Sequence, residues 1–438
     1  MTRGNVRRSA LSGSAGLILV TGLVGCSEDR ATSDTTGTTA ATETVEDCAA
    51  DLVACAQLSS LADVVPDEES TATGEPIVLG MINQENTPLG SYPELSSAAR
   101  AAAAFVNDRL GGVDGRPVEI EVCNTEFSPE GSTACAQRFA EAGVPAVLGG
   151  IDVFGNGVDT LTENEIPYVG GIPVSMNSVS SPTSYQWSGG TWGATIAFAD
   201  HAATELGADS VAIAYPEFDP ITDSAERGRH VLEEAGVGEV QMIPYPITAT
   251  DLTSPLQAAA AARPDALIML AADMGCKGAF DGVETVGLDA QMYLVGACAA
   301  PKIIEEAGPA KTDGTIFNVE GPIDRSAENV DFSLYVAAAG EYGDGFDPVG
   351  AGTVSFRSFM NLWAVLVGLD EVTPQAISDA LGARTDEPSF MGHPYTCDQQ
   401  QLSGLPSMCS PQQILARMED GELVQIGDWI DVGTVPGA

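Results

Sequence analysis

The chain has 438 residues, 44% of them apolar, with 48 glycines and 26 prolines. At roughly 100–200 residues per domain, two or three domains are expected, and this composition excludes wholesale disorder, collagen-like repeats and coiled-coil fibres. Acidic residues number 62 against 18 basic ones, a formal net charge of −44 that repels phosphate backbones and anionic headgroups, so nucleic-acid binding and polybasic membrane docking are excluded as well.

Residues 1–26 have the pattern of a secretory signal. Arg3, Arg7 and Arg8 form a positive start with no Asp or Glu before Cys26, and Leu11 to Val24 supply a short apolar stretch interrupted by Gly and Ser. That stretch is shorter than the roughly 20 apolar residues of a spanning helix. It ends Leu23-Val24-Gly25-Cys26, which resembles a bacterial lipobox. The resemblance implies that Cys26 becomes the lipidated first residue of the mature protein, its thiolate accepting the lipid. The protein is then held on the outer face of the cell membrane.

Eight cysteines remain besides Cys26, an even number in an oxidising compartment, which reads as disulfides. Their spacing suggests four local pairs: Cys48–Cys55, Cys123–Cys135, Cys276–Cys298 and Cys397–Cys409. A zinc site is not expected, because no CxxC pair occurs and the chain has only 3 histidines.

From Ser27 to Glu75 the chain is rich in Ser, Thr, Ala and acids and has no aromatic residue, which predicts a disordered tether with one small turn stapled by Cys48–Cys55. The globular part is expected to start at Pro76. Strands are predicted at Ile77–Ile82, Val118–Cys123, Ala146–Gly150 and Pro167–Ile172, with helices at Glu94–Leu110 and Ser128–Ala142 between them. After the Ser188-Gly189-Gly190 break a second series follows. Its helices are Thr191–Leu206, Ser224–Glu234, Leu252–Ala262 and Cys276–Val286, and its strands Ser210–Tyr215, Val240–Ile243, Ala266–Leu270 and Met292–Val295. A further apolar run at Gly314–Val319 precedes helices at Asn329–Tyr342, Gly350–Leu369 and Thr373–Leu381, and Gly421–Val432 reads as closing strands.

Continuous apolar strands alternating with helices argue for parallel sheets covered on both faces. The expected fold is therefore α/β, with two similar doubly wound parallel-sheet lobes joined by hinge strands. Residues 76–188 and 321–390 would form the first lobe, and 189–320 and 391–438 the second.

Catalytic signatures are missing from this sequence: it has no GxSxG elbow, no GxxxxGK[ST] loop and no HExxH. The glycines from Gly149 to Gly157 lack the GxGxxG spacing and do not follow the first strand. His201 and His230 fall inside predicted helices, and His393 sits in a Met-Gly-His-Pro loop. No enzyme, cofactor or metal is expected. In open α/β sheets ligands bind beyond the carboxyl ends of the strands, so the loops after the strands are the candidate site. They supply Gln84 and Tyr92, then Asp152, Val153 and Phe154, then Gly171 and Ile172. From the second series come Glu217 and Phe218, Asp273 and Met274, and Ala297. Cys276 and Cys298 lie just past two sequential strands, and a bridge there would brace the rim if those strands are neighbours about 4.8 Å apart.

The opening Ile77-Val-Leu-Gly-Met and the run Ala104-Phe-Val-Asn107-Asp-Arg-Leu-Gly111-Gly112-Val-Asp-Gly115-Arg116 resemble type I periplasmic binding proteins of the leucine/isoleucine/valine-binding group, and Ile166-Pro-Tyr-Val-Gly-Gly continues the likeness. The resemblance covers Pro76 to Val319 well and the remainder loosely. It implies a two-lobed clamshell without catalysis, the solute-binding component of an ABC importer. Such a protein delivers a small molecule to permease subunits and is expected here as a monomer. A ligand-sensing ectodomain or co-receptor with the same fold is the alternative.

Family members holding amino acids use hydroxyls in the loops after strands three and four, whereas the loop here reads Ile151-Asp152-Val153-Phe154-Gly155, with an acid instead. The expected ligand is therefore a small polar one, an amino-acid-like molecule, amine or amide. Asp152 or Asp273 would pair with its amine, and Phe154, Tyr92 and Phe218 would supply apolar walls.

Overall fold

The computed structural model describes residues 48–87, 90–271, 273–319, 321, 329–348 and 350–438. The signal segment, Cys26 and the tether up to residue 47 lie outside the described residues.

The first sheet is built from β1 (Ile77–Asn83), β2 (Val118–Asn124), β3 (Val147–Gly149), β4 (Tyr168–Val169) and β5 (Ser184–Tyr185), in the order β2-β1-β3-β4-β5. All four pairings are parallel. A short helix α1 (Leu52–Ala56) precedes the sheet, and α2 (Pro93–Arg109), α3 (Pro129–Ala142), α4 (Asn156–Glu163) and α5 (Met176–Ser180) connect its strands. Helix α3 starts where Ser128 Oγ accepts from Gly131 N at 2.9 Å and stops at Gly143, whose φ of 67° suits glycine.

The second lobe follows with α6 (Gly190–Thr204), β6 (Ser210–Pro216), α7 (Asp219–Glu234), β7 (Glu239–Tyr245), α8 (Thr253–Ala262), β8 (Ala266–Met269), α9 (Asp273–Val286) and β9 (Gln291–Leu294). Then come α10 (Pro301–Ala307), α11 (Pro309–Thr312) and β10 (Ile316–Val319). Three late helices, α12 (Val330–Tyr342), α13 (Gly352–Leu366) and α14 (Pro374–Gly382), precede the hairpin β11 (Gln413–Glu419) and β12 (Glu422–Ile430). The second sheet runs β12-β11-β10-β9-β8-β6-β7, parallel from β7 to β10 and antiparallel at the closing hairpin.

The late helices return to the first lobe, as expected from the topology: Leu334, Phe359, Trp363 and Leu381 share one core with Leu79, Phe105 and Leu148. A separate core holds Trp192, Phe198, Ile213 and Ile268 of the second lobe. The first crossing between lobes falls between Trp187 and Trp192, which belong to different cores.

Two boundaries differ from the sequence reading. The stretch from Cys48 is not a tether. Cys48, Leu52, Val53, Cys55 and Leu61 are buried in the first lobe's core. Ser60 donates through N (2.8 Å) and Oγ (2.6 Å) to Asp331 of α12, which also accepts from Met391 N at 2.8 Å. A polar composition hid a few apolar side chains that gain a partner only from a helix about 270 residues later. The return to the second lobe is also later than residue 391. Met391, Tyr395, Cys397 and Cys409 pack in the first core, while Leu402, Leu405 and Met408 pack in the second. Gln186 N donates to Ser407 O and Gln186 O accepts from Cys409 N, each at 2.8 Å, so the hinge is a paired ribbon.

The four disulfides join the pairs expected from spacing. Strands β8 and β9 are neighbours, and Cys276–Cys298 spans a Cα–Cα distance of 5.2 Å just beyond their carboxyl ends.

Candidate functional site

A cleft of about 1400 Å³ opens where the carboxyl ends of the two sheets face each other. In the first sheet, β1 has β2 on one side and β3 on the other, so the chain leaves β1 and β3 on opposite faces and a crevice opens between their loops. Asn83, fully buried at the end of β1, ties the surrounding loops together. Its Oδ1 accepts from Ile151 N at 3.1 Å, and its Nδ2 donates to Tyr92 O at 2.8 Å and to Ser96 Oγ at 3.0 Å. The matching switch point in the second sheet lies between β6 and β8, where Phe218 and Leu270 reach the cleft.

The walls are mainly apolar. Tyr92, Phe127, Val153 and Ile172 line them from the first lobe, and Phe218, Ile221, Tyr245 and Ile247 from the second. Three rings form a ladder at the junction: Phe127 to Phe154 at 5.2 Å and Phe154 to Phe218 at 6.1 Å between centroids, both edge-on. The ladder therefore reaches from one lobe to the other. Phe127 holds a φ of 52° and Glu126 before it 53°, a strained pair of left-handed residues at this rim.

A family profile described as periplasmic binding protein matches residues 76–402. The chain belongs to that family. No curated protein matches the chain in sequence. Among solved structures, a leucine-binding protein of Thermotoga maritima shares 15% identity with a TM-score of 0.65, covering 81% of this chain and 98% of its own. A branched-chain amino acid transporter substrate-binding protein of Streptococcus pneumoniae, solved with isoleucine, has 15% identity and a TM-score of 0.65 over 80% and 100% of the two chains. A possible leucine/isoleucine/valine-binding protein of Rhodopirellula baltica reaches a TM-score of 0.70 at 13% identity, over 82% and 98%. At these identities the likeness is one of fold. It is the type I clamshell that the sequence led us to expect.

This binding protein therefore takes up a small solute outside the cytoplasm and is not an enzyme. None of its three histidines lines the cleft. His201 Nδ1 lies 2.9 Å from the Tyr293 hydroxyl, His230 is exposed on α7, and His393 meets Trp429 edge-on with ring centroids 5.6 Å apart. Among the described residues no cluster of three or more His, Cys, Asp or Glu could hold a metal ion, and no helix is long and apolar enough to cross a membrane.

The residues expected at the site divide into two groups. Gln84, Tyr92, Val153, Ile172, Phe218 and Ala297 line the cleft. Asp152, Phe154, Gly171 and Glu217 do not. Phe154 stands behind the wall as the middle rung of the ladder. Gly171 has a φ of 90°, and a Cβ there would lie 2.6 Å from the Gly149 carbonyl carbon, so it lets two backbones approach. Glu217 is exposed. The side chains of Asp273 and Met274 lie outside the described residues.

Asp152 is a correction. It is 4% exposed and faces inward: Ser132 Oγ donates to it at 2.5 Å and Gly155 N at 3.1 Å, while Ser132 Oγ itself accepts from Gly157 N at 2.7 Å. The acid thus holds the turn that leads into α4, near a helix start where a negative group is favoured, and is spent on structure rather than on a ligand amine.

Burial raises the Asp152 carboxyl above its ordinary value, offset in part by the Ser132 and backbone hydrogen bonds. A carboxyl raised in the folded state contributes stability that is fully present below the unfolded pKa and is lost as pH rises through the folded one. Replacing Asp152 with Asn keeps an acceptor for Gly155 N and removes the titration. Urea melts at about pH 4 and about pH 7 are expected to show the variant gaining on the native chain at the higher pH. Parallel profiles would contradict this account of the buried acid.

Sequence reasoning missed Arg357, Thr191, Phe127, Tyr245 and Glu94, all of which line the cleft. Arg357 carried a readable signal. It is the single charged residue in the apolar helix α13, and a charge is rarely buried without a purpose. Gln84 adds a second polar feature. It is 1% exposed, its Nε2 donates to Gly90 O at 3.0 Å, and its Oε1 has no partner among the described residues.

Proposed function

We propose that the protein is the lipid-anchored receptor of an ABC importer, carrying a small solute in the cleft between its lobes and presenting it to permease subunits. One observation carries this reading: a large cleft is lined from both lobes by the loops at the two switch points. Hinge motion about the paired crossings closes such a cleft over a guest. The Gln84 Oε1 calls for a hydrogen-bond donor on that guest.

The reading is tested by mass spectrometry of small molecules released from the natively purified protein. A defined metabolite in near-equal amount to the chain supports it, and a protein that carries and binds no metabolite counts against it. The anchor is tested separately. Cys26→Ser is expected to move the protein from the membrane fraction to the soluble one and to remove the lipid mass from the N-terminus. Unchanged membrane retention would exclude lipid at Cys26.

A further inference from the structure

The chain passes between the two cores first between Trp187 and Trp192, again between β10 and α12, and again between Cys409 and Leu415. One side chain meets all three of these connections. Gln413 opens β11 and is fully buried. Its Oε1 accepts from Asn318 Nδ2 at 3.1 Å, at the end of β10 where the second connection departs. Asn318 is itself held in place, its Oδ1 accepting from Gly296 N at 2.8 Å. The Gln413 Nε2 donates to Pro411 O at 3.3 Å and to Gln412 O at 3.2 Å, both on the third connection. The first connection is reached through two glycines. A Cβ at Gly189 would lie 2.6 Å from the Gln413 Nε2, and one at Gly193 would lie 2.9 Å from it, so both glycines let the amide rest against the start of α6.

Three other buried atoms of the first connection do not oppose its turning. Gln186 Oε1, Trp187 Nε1 and Thr191 Oγ1 have no hydrogen-bond partner among the described residues, so a rotation breaks no bond at any of them. The same rotation drags Gly189 and Gly193 past an amide whose own bonds are strengthened by the low polarity around it. At the far side of the cleft the lobes already touch through Phe154 and Phe218, 6.1 Å apart. Lobes released at the hinge therefore move apart.

We propose that Gln413 is the pin of the hinge, a positioning residue that sets the angle between the lobes before any solute arrives. This rests on the hinge motion invoked above.

The test uses no ligand, so its failure leaves solute binding untouched. Gln413→Met keeps the length of the side chain and removes its amide. Small-angle scattering of the whole soluble chain, dialysed free of solute, is expected to give a larger radius of gyration for the variant. Hydrogen exchange read by mass spectrometry should quicken about tenfold, the upper end for one lost hydrogen bond, in peptides covering Gln186–Trp192 and Cys409–Gln412, with Ala266–Met269 unchanged. Gly193→Ala displaces the amide without altering Gln413, should shift both readings the same way, and decides the question if the Met variant fails to fold. An unchanged or smaller radius would overturn the proposal. So would faster exchange spread evenly through both sheets, which is the mark of a residue that only fills the second core.

Discussion

Trp363→Ala is expected to cost about 3–5 kcal/mol in urea denaturation, the range for removing a large buried ring. Trp363 is 1% exposed, and its Nε1 donates to Gly112 O at 2.8 Å, joining α13 to a loop 251 residues earlier. That carbonyl belongs to the Gly111-Gly112 turn ending α2, and Gly112 is held at a φ of 69° with no room for a Cβ, which would sit 2.1 Å from Arg116 O. The truncation therefore leaves both a cavity and an unpaired buried acceptor. Trp363→Phe separates the two effects: it keeps most of the ring and should lose about 1–3 kcal/mol, the cost of the orphaned carbonyl. The result matters for function because α13 also carries Arg357. A loss below about 1 kcal/mol for the Ala variant would mean that the late helix is not integral to the first lobe.

Gly190→Ala should be nearly as damaging, for a different reason. Gly190 opens α6 immediately after the first crossing, has a φ of 54°, and lines the cleft. A Cβ there would lie 2.1 Å from the Pro173 carbonyl oxygen and 2.8 Å from its Cγ. Pro173 belongs to the loop after β4, so the clash would push the start of the second lobe away from the first. Left-handed backbone alone costs about 1–2 kcal/mol for a residue with a Cβ. Gly207→Ala isolates that share, since Gly207 has a φ of 65° and nothing within 4 Å of the added carbon. We expect about 1 kcal/mol for Gly207→Ala and about 3 kcal/mol or more for Gly190→Ala. Ligand affinity should fall about tenfold or more only in the latter, because only there does the added atom alter the lobe spacing. Equal costs at the two positions would show that the hinge has slack.

Much of the fold was legible because parallel strands covered on both faces must be apolar throughout. Ile77–Ile82 and Ala266–Met269 read as apolar runs for that reason, and α2, α3, α6, α8 and α9 were found within a few residues, whereas the short helices α4 and α5 were not. Helix α7 starts at Asp219 rather than Ser224, since Pro220 suits a first turn and extends the helix toward the cleft. Strand β11 was overlooked although its signal was present: Asp420-Gly421, with φ values of 53° and 87°, is a two-residue hairpin turn joining it to β12. Strand β5 has only two residues and no pattern to read.

The site was legible by position and not by chemistry. Topology places the loops, so six of the expected residues line the cleft. Which way a side chain turns depends on partners distant in sequence. Asp152 turned inward because Ser132, 20 residues earlier, offers a hydroxyl and α4 offers a positive end. Arg357 reaches the cleft only because α13 folds back onto the first lobe.

Equilibrium dialysis with the metabolite that co-purifies, followed by mass spectrometry of what is recovered, asks the most direct question of this protein. One molecule bound per chain and returned with its mass unchanged is the predicted result. Absence of saturable uptake, or recovery of an altered compound, would contradict a cleft that captures its solute and releases it intact.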